Sequence, residues 1–181
     1  FDRGMPEEIN RILTDQIADL LYTTEAAAAE NLAREGIAPD RVRFVGNVMI
    51  DSLLRHRSRA IAPAATLARE GCPADFVGGA AGFGVVTLHR PSNVDEAGPL
   101  REALDMLADI SLRLPLVWPM HPRAKANVER LGLSSKLSGA RIAVLPPQGY
   151  LEMLGLLAEA KLVLTDSGGI QEETTALAVP C

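Results

Sequence analysis

The sequence has 181 residues, of which 48% are hydrophobic, and this suffices for one well-buried domain but not for two large ones. The formal net charge of -5 argues against nucleic acid or an anionic membrane surface as the main partner, because both bind basic faces. No apolar run approaches the roughly 18 residues of a membrane-spanning helix, and no signal segment opens the chain. We therefore expect a soluble, cytoplasmic protein.

The two cysteines and the two chain ends give further expectations. Cys72 and Cys181 lie far apart and have no ligand-like neighbours, so neither a disulfide framework nor a zinc site is predicted. The chain begins at Phe1 without an initiator methionine, and it ends at Cys181, where an alternating fold would enter a strand. We expect it to be a fragment of a longer protein.

The first part of the chain predicts short strands between helices. Pro6 suits the first position of a helix, and Glu7 and Glu8 suit its positive end. Thr24 is placed to cap an Ala-rich helix that stops at Gly36. The Ala-, Gly- and Pro-rich residues 62–82 are typical of connecting material. The predicted strands cover residues 20–23 and 41–45, and the predicted helices begin at residues 5, 24 and 48.

Strands and helices alternate through the second half of the chain. Their lengths suit right-handed crossovers, so the pattern predicts an α/β fold with one Rossmann-like parallel sheet and helices on both faces. The predicted strands cover residues 84–88, 116–120, 141–145 and 161–165, and the helices cover residues 95–112, 124–131, 151–160 and 170–178.

A glycine-bearing turn follows the last predicted strand. Ser167, Gly168 and Gly169 fall where the first amides of a helix have no intrahelical acceptor, which is typical of a phosphate site. The alternative is that Asp166 or Ser167 only caps the helix and that the acidic residues after it only favour the helix dipole. Under the first interpretation Glu173 binds hydroxyls of a nucleotide. The stretch alone leaves both interpretations open.

Other polar residues follow equivalent strands. His89 and Arg90, His121 and Gln148 each come shortly after a predicted strand, as the glycine turn does. The carboxyl ends of parallel strands meet at one edge of the sheet, where ligands bind in open α/β folds. Two histidines at such positions favour a functional site over isolated structural hydrogen bonding.

Four segments together resemble the non-hydrolysing UDP-N-acetylglucosamine 2-epimerases. They are residues 5–11 (MPEEINR), 87–95 (TLHRPSNVD), 120–122 (MHP) and 166–173 (DSGGIQEE), in the order of the family. The resemblance covers nearly the whole chain and implies a fragment of a two-domain, glycosyltransferase-B-like architecture. It implies that residues 1–23 are the end of the first domain with an interdomain helix. Residues 24–181 would then be the second, UDP-binding domain, truncated at its C-terminus.

The resemblance implies an isomerase that interconverts UDP-N-acetylglucosamine and UDP-N-acetylmannosamine for polysaccharide biosynthesis. The family eliminates UDP across C1 and C2 to give 2-acetamidoglucal and then adds UDP back with the opposite configuration. This chemistry needs a base, an acid and stabilisation of the departing diphosphate. By motif, Glu7 and His89 correspond to catalytic residues of the family.

The remaining site residues implied by the resemblance bind UDP. Arg11 matches a charged residue of the same cleft, and Arg90 adds electrostatic attraction near the diphosphate. Glu173 matches the ribose-binding carboxylate, and His121 resembles a strand-end histidine of the family. The other positions implied to contact UDP are Ser167, Gly168 and Gly169 at the diphosphate, Gln148 at the uridine end, and Met153, where many members have an aromatic residue.

The resemblance implies no metal ion and no nicotinamide cofactor, a UDP-sugar as the substrate, and a homodimer at full length. It also implies that residues 1–181 alone have no epimerase activity, because catalytic residues of the first domain precede the chain. Two alternatives stay open: a nucleotide-sugar glycosyltransferase of similar architecture, and a module that binds a nucleotide sugar without turnover. Glu7 and Arg11 favour the epimerase, because a transferase does not require them.

Overall fold

The computed structural model describes residues 4–73 and 75–181. The chain divides into two compact units, one before and one after the peptide bond that joins Ser52 to Leu53. The domain boundary that the sequence predicts after residue 23 stays a prediction.

The first unit has a small core built on a pair of parallel strands. Leu21 pairs with Val42 in the register of these strands, and the buried core residues are Leu21, Leu32 and Ile37. The elements are α1 (Pro6–Ile17), β1 (Leu21–Thr23), α2 (Ala27–Arg34), a 3-10 turn (Pro39–Arg41), β2 (Val42–Phe44) and the start of α3 (Val48–His56).

Polar contacts attach α1 to the rest of this unit. The guanidinium of Arg41 donates to the carbonyl oxygens of Asp15 and Gln16, each at 3.1 Å, and also to that of Ala18. No residue of α1 is buried, and Ile17 on its apolar face is 83% exposed. Since a helix C-terminus carries partial negative charge, the arginine stabilises the end of α1 where apolar packing does not.

The second unit contains the alternation that the sequence predicts. Its strands are β3 (Gly84–Thr87), β4 (Leu116–Pro119), β5 (Ile142–Leu145) and β6 (Leu162–Thr165). Its helices after α3 are α4 (Pro63–Arg69), α5 (Asp75–Gly78), α6 (Pro91–Val94), α7 (Ala97–Ser111), α8 (Pro122–Arg130), α9 (Ser135–Ser138), α10 (Tyr150–Glu159) and α11 (Gly168–Leu177).

The four strands form one parallel sheet in the order β5, β4, β3, β6. Alternate strand residues face opposite sides, so Val85 and Val163 belong to one core, whereas Val86 and Trp118 belong to the other. Helices α4, α10 and α11 contribute to the first core, and α7 and α8 contribute to the second. The predicted parallel sheet with helices on both faces is confirmed.

The prediction that residues 62–82 only connect other elements is wrong. Pro63 begins α4, and Thr66 and Leu67 of that helix are fully buried. Helix α10 allows close packing beside this segment, because a Cβ on Gly155 would lie 1.8 Å from the carbonyl oxygen of Ile61. The Ala- and Pro-rich composition therefore hides a helix that belongs to the core.

Two details of the helix ends also differ from expectation. The second helix is capped at Ala26 with no side-chain hydrogen bond, so Thr24 is not its cap. Helix α11 begins at Gly168, two residues earlier than predicted.

Across the part of the chain that the structure describes, no helix combines the length and the apolar character that crossing a membrane requires.

Candidate functional site

A cleft of about 290 Å³ lies in the second unit at the carboxyl ends of the sheet strands. Strands β3, β4, β5 and β6 all end here, as an open parallel sheet requires. The structure brings together five residues singled out from the sequence, which are His89, His121, Gln148, Met153 and Ser167. The lining consists of these five with Thr87, Leu88, Pro119, Pro147 and Ile170.

Asp166 joins the loop after β6 to the loop after β3. Its Oδ2 accepts hydrogen bonds from the backbone amides of His89 (3.0 Å) and Arg90 (2.8 Å) and from Nδ2 of Asn93 (3.0 Å). Its side chain is only 7% exposed, and Oδ1 lies 2.9 Å from Nδ1 of His89. Burial on its own would raise the pKa of this carboxyl. The hydrogen bonds that it accepts, with that from the Arg90 amide the largest, outweigh burial and lower the pKa.

The two histidines of the cleft face different partners. Their ring centroids are 6.0 Å apart, with an angle of 44° between the ring planes. His89 has Nδ1 against the Asp166 carboxylate, whereas Nδ1 of His121 accepts a hydrogen bond of 3.1 Å from the amide of Arg123. His121 therefore caps α8. The Nδ1 atoms of the two imidazole rings therefore have different hydrogen-bonding environments.

The start of α11 forms one side of the cleft. Ser167 is the cap, since its Oγ accepts from the amide of Ile170 at 3.5 Å. The amide of Ser167 itself donates to Oγ1 of Thr165 at 3.0 Å. Helix geometry leaves the amides of Gly168 and Gly169 without intrahelical acceptors, and a Cβ on Gly168 would meet nothing within 4 Å. These two amides are thus the ones available to a phosphate.

Arg90 is exposed beside this turn, and its Nε donates to the carbonyl oxygen of Asp166 at 2.6 Å. This hydrogen bond fixes the Nε end of the guanidinium group. It does not involve the two terminal nitrogens, Nη1 and Nη2. The two terminal nitrogens can therefore turn toward an anion at the start of α11. A guanidinium held in this way supplies positive charge without a large cost in side-chain entropy.

Glu173 is half-buried on α11, beyond the first turn of the helix. Removal from water raises the pKa of its carboxyl. The pKa of the Tyr150 phenol at the start of α10 is also raised, mainly by burial and to a smaller extent by the negative charge of Glu173. Because the effect of a helix dipole falls off within one turn, the dipole alternative explains Glu173 less well than the ligand alternative does.

Gln148 is held by a polar network that the sequence does not reveal. Its Oε1 accepts from Nη2 of Arg69 at 2.8 Å, and its Nε2 donates to the carbonyl oxygen of Pro146 at 2.9 Å. Nη1 of the same arginine donates to Glu152 at 2.7 Å. The Arg69 hydrogen bond is the main reason why the pKa of Glu152 is lowered. This network fixes the amide group of Gln148 at the edge of the cleft, near Met153.

Arg11 and Glu7 belong to the first unit. The guanidinium of Arg11 makes five hydrogen bonds, to Glu8, Asp15 and Glu35, and these use all its N–H groups. The bonds, with Glu35 first, raise the pKa of Arg11, which stays charged. A substrate anion would have to displace one of these carboxylates. Glu7 is exposed in the first turn of α1.

The arrangement in the second unit can bind an anion and move a proton. It offers helix amides, an arginine and two imidazoles around a partly apolar cleft. Within residues 4–73 and 75–181, no group of three His, Cys, Asp or Glu side chains is placed to hold a metal ion. Asp166 is the residue beside the cleft whose contacts the sequence analysis missed. The only signal was its place directly after a predicted strand, which puts it at the same edge of the sheet as His89 and Arg90.

The fold and the cleft define an open α/β domain with a cleft at the carboxyl edge of its parallel sheet, where helix amides and an arginine are placed to suit an anionic ligand. The family model for UDP-N-acetylglucosamine 2-epimerase matches residues 1–181. The chain belongs to this family.

Relatives of known function agree with this assignment. The chain is 40% identical over 184 residues to UDP-2,3-diacetamido-2,3-dideoxy-D-glucuronate 2-epimerase of Pseudomonas aeruginosa, covering 100% of this chain and 48% of that protein. It is 38% identical over 186 residues to UDP-N-acetylglucosamine 2-epimerase of Methanocaldococcus jannaschii, covering 100% of this chain and 49% of that protein. The chain therefore spans about half the length of these relatives.

A solved structure of the Methanocaldococcus jannaschii enzyme in complex with UDP-GlcNAc and UDP is also similar. The TM-score is 0.81 at 38% identity, and the match covers 100% of this chain and 49% of that one. The likeness thus extends to the backbone as well as to the sequence.

Proposed function

We propose that the protein containing these residues is a UDP-N-acetylglucosamine 2-epimerase. It interconverts UDP-N-acetylglucosamine and UDP-N-acetylmannosamine by eliminating UDP and adding it back, and it needs no redox cofactor. The proposal rests on family membership over the whole chain together with the cleft, where the start of α11 and two histidines meet. The resemblance further supports a cytoplasmic homodimer as the working form.

The reaction follows from the charges that must be stabilised. When the C1–O bond to UDP breaks, negative charge grows on the diphosphate, and donors fixed in advance stabilise it most. In the proposed pose, the amides of Gly168 and Gly169 and the side chain of Ser167 face that diphosphate. Arg90 adds attraction, Gln148 and Met153 bound the uridine end, and Glu173 accepts hydrogen bonds from the ribose.

The proposed reaction also moves a proton at C2. Removal of the C2 hydrogen requires a base, and its return on the other face requires an acid. Glu7 and His89 are the proposed catalytic residues, with His121 as a further contact in the cleft. Arg11 is proposed as a charged residue of the same site, although its present partners must be exchanged for it to contact a ligand directly.

Solvent exchange at C2 tests the mechanism. Incubation of the full-length protein with UDP-N-acetylglucosamine in deuterium oxide should give both epimers with deuterium at C2. A product that keeps protium at this carbon would exclude elimination with return of a solvent proton. Release of UDP only when an acceptor sugar is present, with no epimer formed, would instead support the glycosyltransferase alternative.

A second candidate substrate deserves a direct comparison. The Pseudomonas aeruginosa relative, at 40% identity, is named for a 2,3-diacetamido glucuronate, whereas the Methanocaldococcus jannaschii relative at 38% is named for UDP-N-acetylglucosamine. Both names describe epimerisation at C2 of a UDP-linked acetamido sugar. Measuring kcat/KM for the two UDP-sugars side by side decides between them, and a higher value for the diacetamido glucuronate would overturn the preferred substrate.

A further inference from the structure

The contacts of Asp166 constrain where the proton sits on His89. An ionised carboxylate only accepts hydrogen bonds, so the 2.9 Å approach of Oδ1 to Nδ1 is attractive only when Nδ1 carries a proton. Three donors converge on the other oxygen, Oδ2, from the amides of His89 and Arg90 and from Asn93, and the His89 amide also reaches Oδ1 at the longer distance of 3.2 Å. The carboxylate is therefore fixed in orientation.

We propose that Asp166 is a positioning residue that keeps the proton of neutral His89 on Nδ1. Nε2, on the side of the ring away from Asp166, is then the nitrogen that takes up a proton in the cleft and returns it. When Nε2 is protonated, the ring becomes an imidazolium and the buried carboxylate stabilises its charge. This inference rests on the proposed function only for the use of that proton, and not for its position.

His121 provides the contrast within the same cleft. Its Nδ1 accepts from the Arg123 amide, so the neutral ring carries its proton on Nε2. Protonation at Nδ1 would place two N–H groups against each other. His121 is thus a fixed donor, whereas His89 can alternate between acceptor and donor at Nε2. The two strand ends supply complementary tautomers to one ligand.

Replacing Asp166 by Asn tests this asymmetry. Asn has a single oxygen, and the Oδ2 position is favoured for it, because Arg90 and Asn93 donate only there and the His89 amide lies closer to Oδ2 (3.0 Å) than to Oδ1 (3.2 Å). Its NH2 group then occupies the Oδ1 position and faces Nδ1 of His89. An N–H donor there requires an unprotonated Nδ1, so Asp166→Asn should move the proton of His89 to Nε2. The replacement changes the tautomer while it keeps the side-chain shape.

The experiment records long-range ¹H–¹⁵N spectra of full-length protein labelled on histidine. At about pH 9, where an ordinary imidazole is neutral, the spectrum distinguishes the two tautomers. His89→Gln and His121→Gln assign the signals. The wild type should show His89 protonated on Nδ1 and His121 protonated on Nε2, and Asp166→Asn should show both rings protonated on Nε2. Asp95→Asn is the matched control, because Asp95 also accepts side-chain hydrogen bonds, from Arg123 and Asn127.

Kinetics on the same variants separate positioning from general damage. Asp166→Asn should lower kcat by about 100-fold or more, the usual share of acid–base catalysis, with UDP affinity within about threefold of the wild type. Asp95→Asn should keep the wild-type kcat and the wild-type UDP affinity. A wild-type His89 protonated on Nε2 would overturn the proposal without any variant. A parallel loss of kcat and UDP affinity in Asp166→Asn would also overturn it, since that result indicates a merely structural role.

The tautomer measurement stands apart from the proposed reaction. If the wild type epimerises neither UDP-sugar but shows the two tautomers and the Asn-induced change, the proposed function fails and the position of the proton is supported. If it epimerises normally while His89 carries its proton on Nε2, the proposed function stands and this inference fails.

Discussion

Replacing Glu173 by Gln distinguishes a ribose ligand from a helix-end charge most directly. A hydrogen bond to a charged group contributes roughly 1.5–3 kcal/mol, and Gln keeps only one of the two acceptor oxygens. Loss of one such bond corresponds to a UDP dissociation constant that is about ten- to 150-fold higher. Isothermal titration of UDP into the full-length protein measures this change.

The free energy of unfolding of Glu173→Gln should be equal to that of the wild type or slightly higher. Burial raises the pKa of Glu173 above the ordinary value of 4.5, so ionisation at neutral pH costs folding free energy. This cost is absent below pH 4.5, where the carboxyl is protonated in both states, and it appears as the pH rises through the folded-state pKa. Gln removes the cost, so the melting temperature at pH 7 should not fall.

Glu172→Gln is the matched control on the same helix. The neighbouring position points about 100° further round α11, and Glu172 is exposed where Glu173 is half-buried. It should leave UDP affinity within about twofold. Equal loss of affinity in both variants, or a Glu173→Gln protein that melts lower and binds UDP normally, would refute the ribose assignment.

Three further predictions concern the same unit. Gly168→Val should abolish UDP binding by titration and leave the circular dichroism spectrum unchanged, because its Cβ points into open space; normal binding would show that the glycine turn is only a helix cap. Gly155→Ala should lower the free energy of unfolding by about 2 kcal/mol or more, because the new Cβ would overlap the Ile61 carbonyl. Gly98→Ala should stabilise α7, because nothing lies within 4 Å of its new Cβ. Urea unfolding measures both effects, and similar midpoints for the two variants would contradict this prediction. The stabilisation that ionised Asp166 provides is complete above its ordinary pKa of 3.8 and is lost as the pH falls through the lower folded-state pKa, so the stability difference between wild type and Asp166→Asn should disappear in acid unfolding experiments.

The periodic parts of the fold were predictable from the sequence. The buried strands are short apolar runs, and each is followed by a polar turn, so the order of elements and the edge that carries His89, His121 and Gln148 follow from chain direction alone. The helix α4 was not predictable in the same way. Its Ala and Pro content is typical of a linker, and it belongs to the core because Leu67 packs in one cluster with Leu154, Leu156 and Leu157 of α10.

The site could be predicted to the level of which loops meet, but not to the level of which atoms meet. Asp166 precedes the cap Ser167, so the sequence favours a local capping role for either residue. The structure instead directs Asp166 to amides that lie 76 and 77 residues earlier in the chain. The network around Gln148 is equally non-local, because Arg69 is separated from it by 79 residues. Sequence periodicity carries no information on such pairings.

The acidic composition of the chain is compatible with the proposed anion site, because two carboxylates beside the cleft, those of Asp166 and Glu152, are engaged by donors. Asp166 turns inward to backbone amides, and Glu152 is paired with Arg69. Charges further away are screened over about 8–10 Å at physiological salt. In the proposed site a diphosphate would therefore meet the start of α11, the imidazoles and Arg90 at close range. The net charge of -5 bears on the partners of the whole surface, whereas the inward direction of the Asp166 carboxylate keeps its negative charge on the amides of His89 and Arg90.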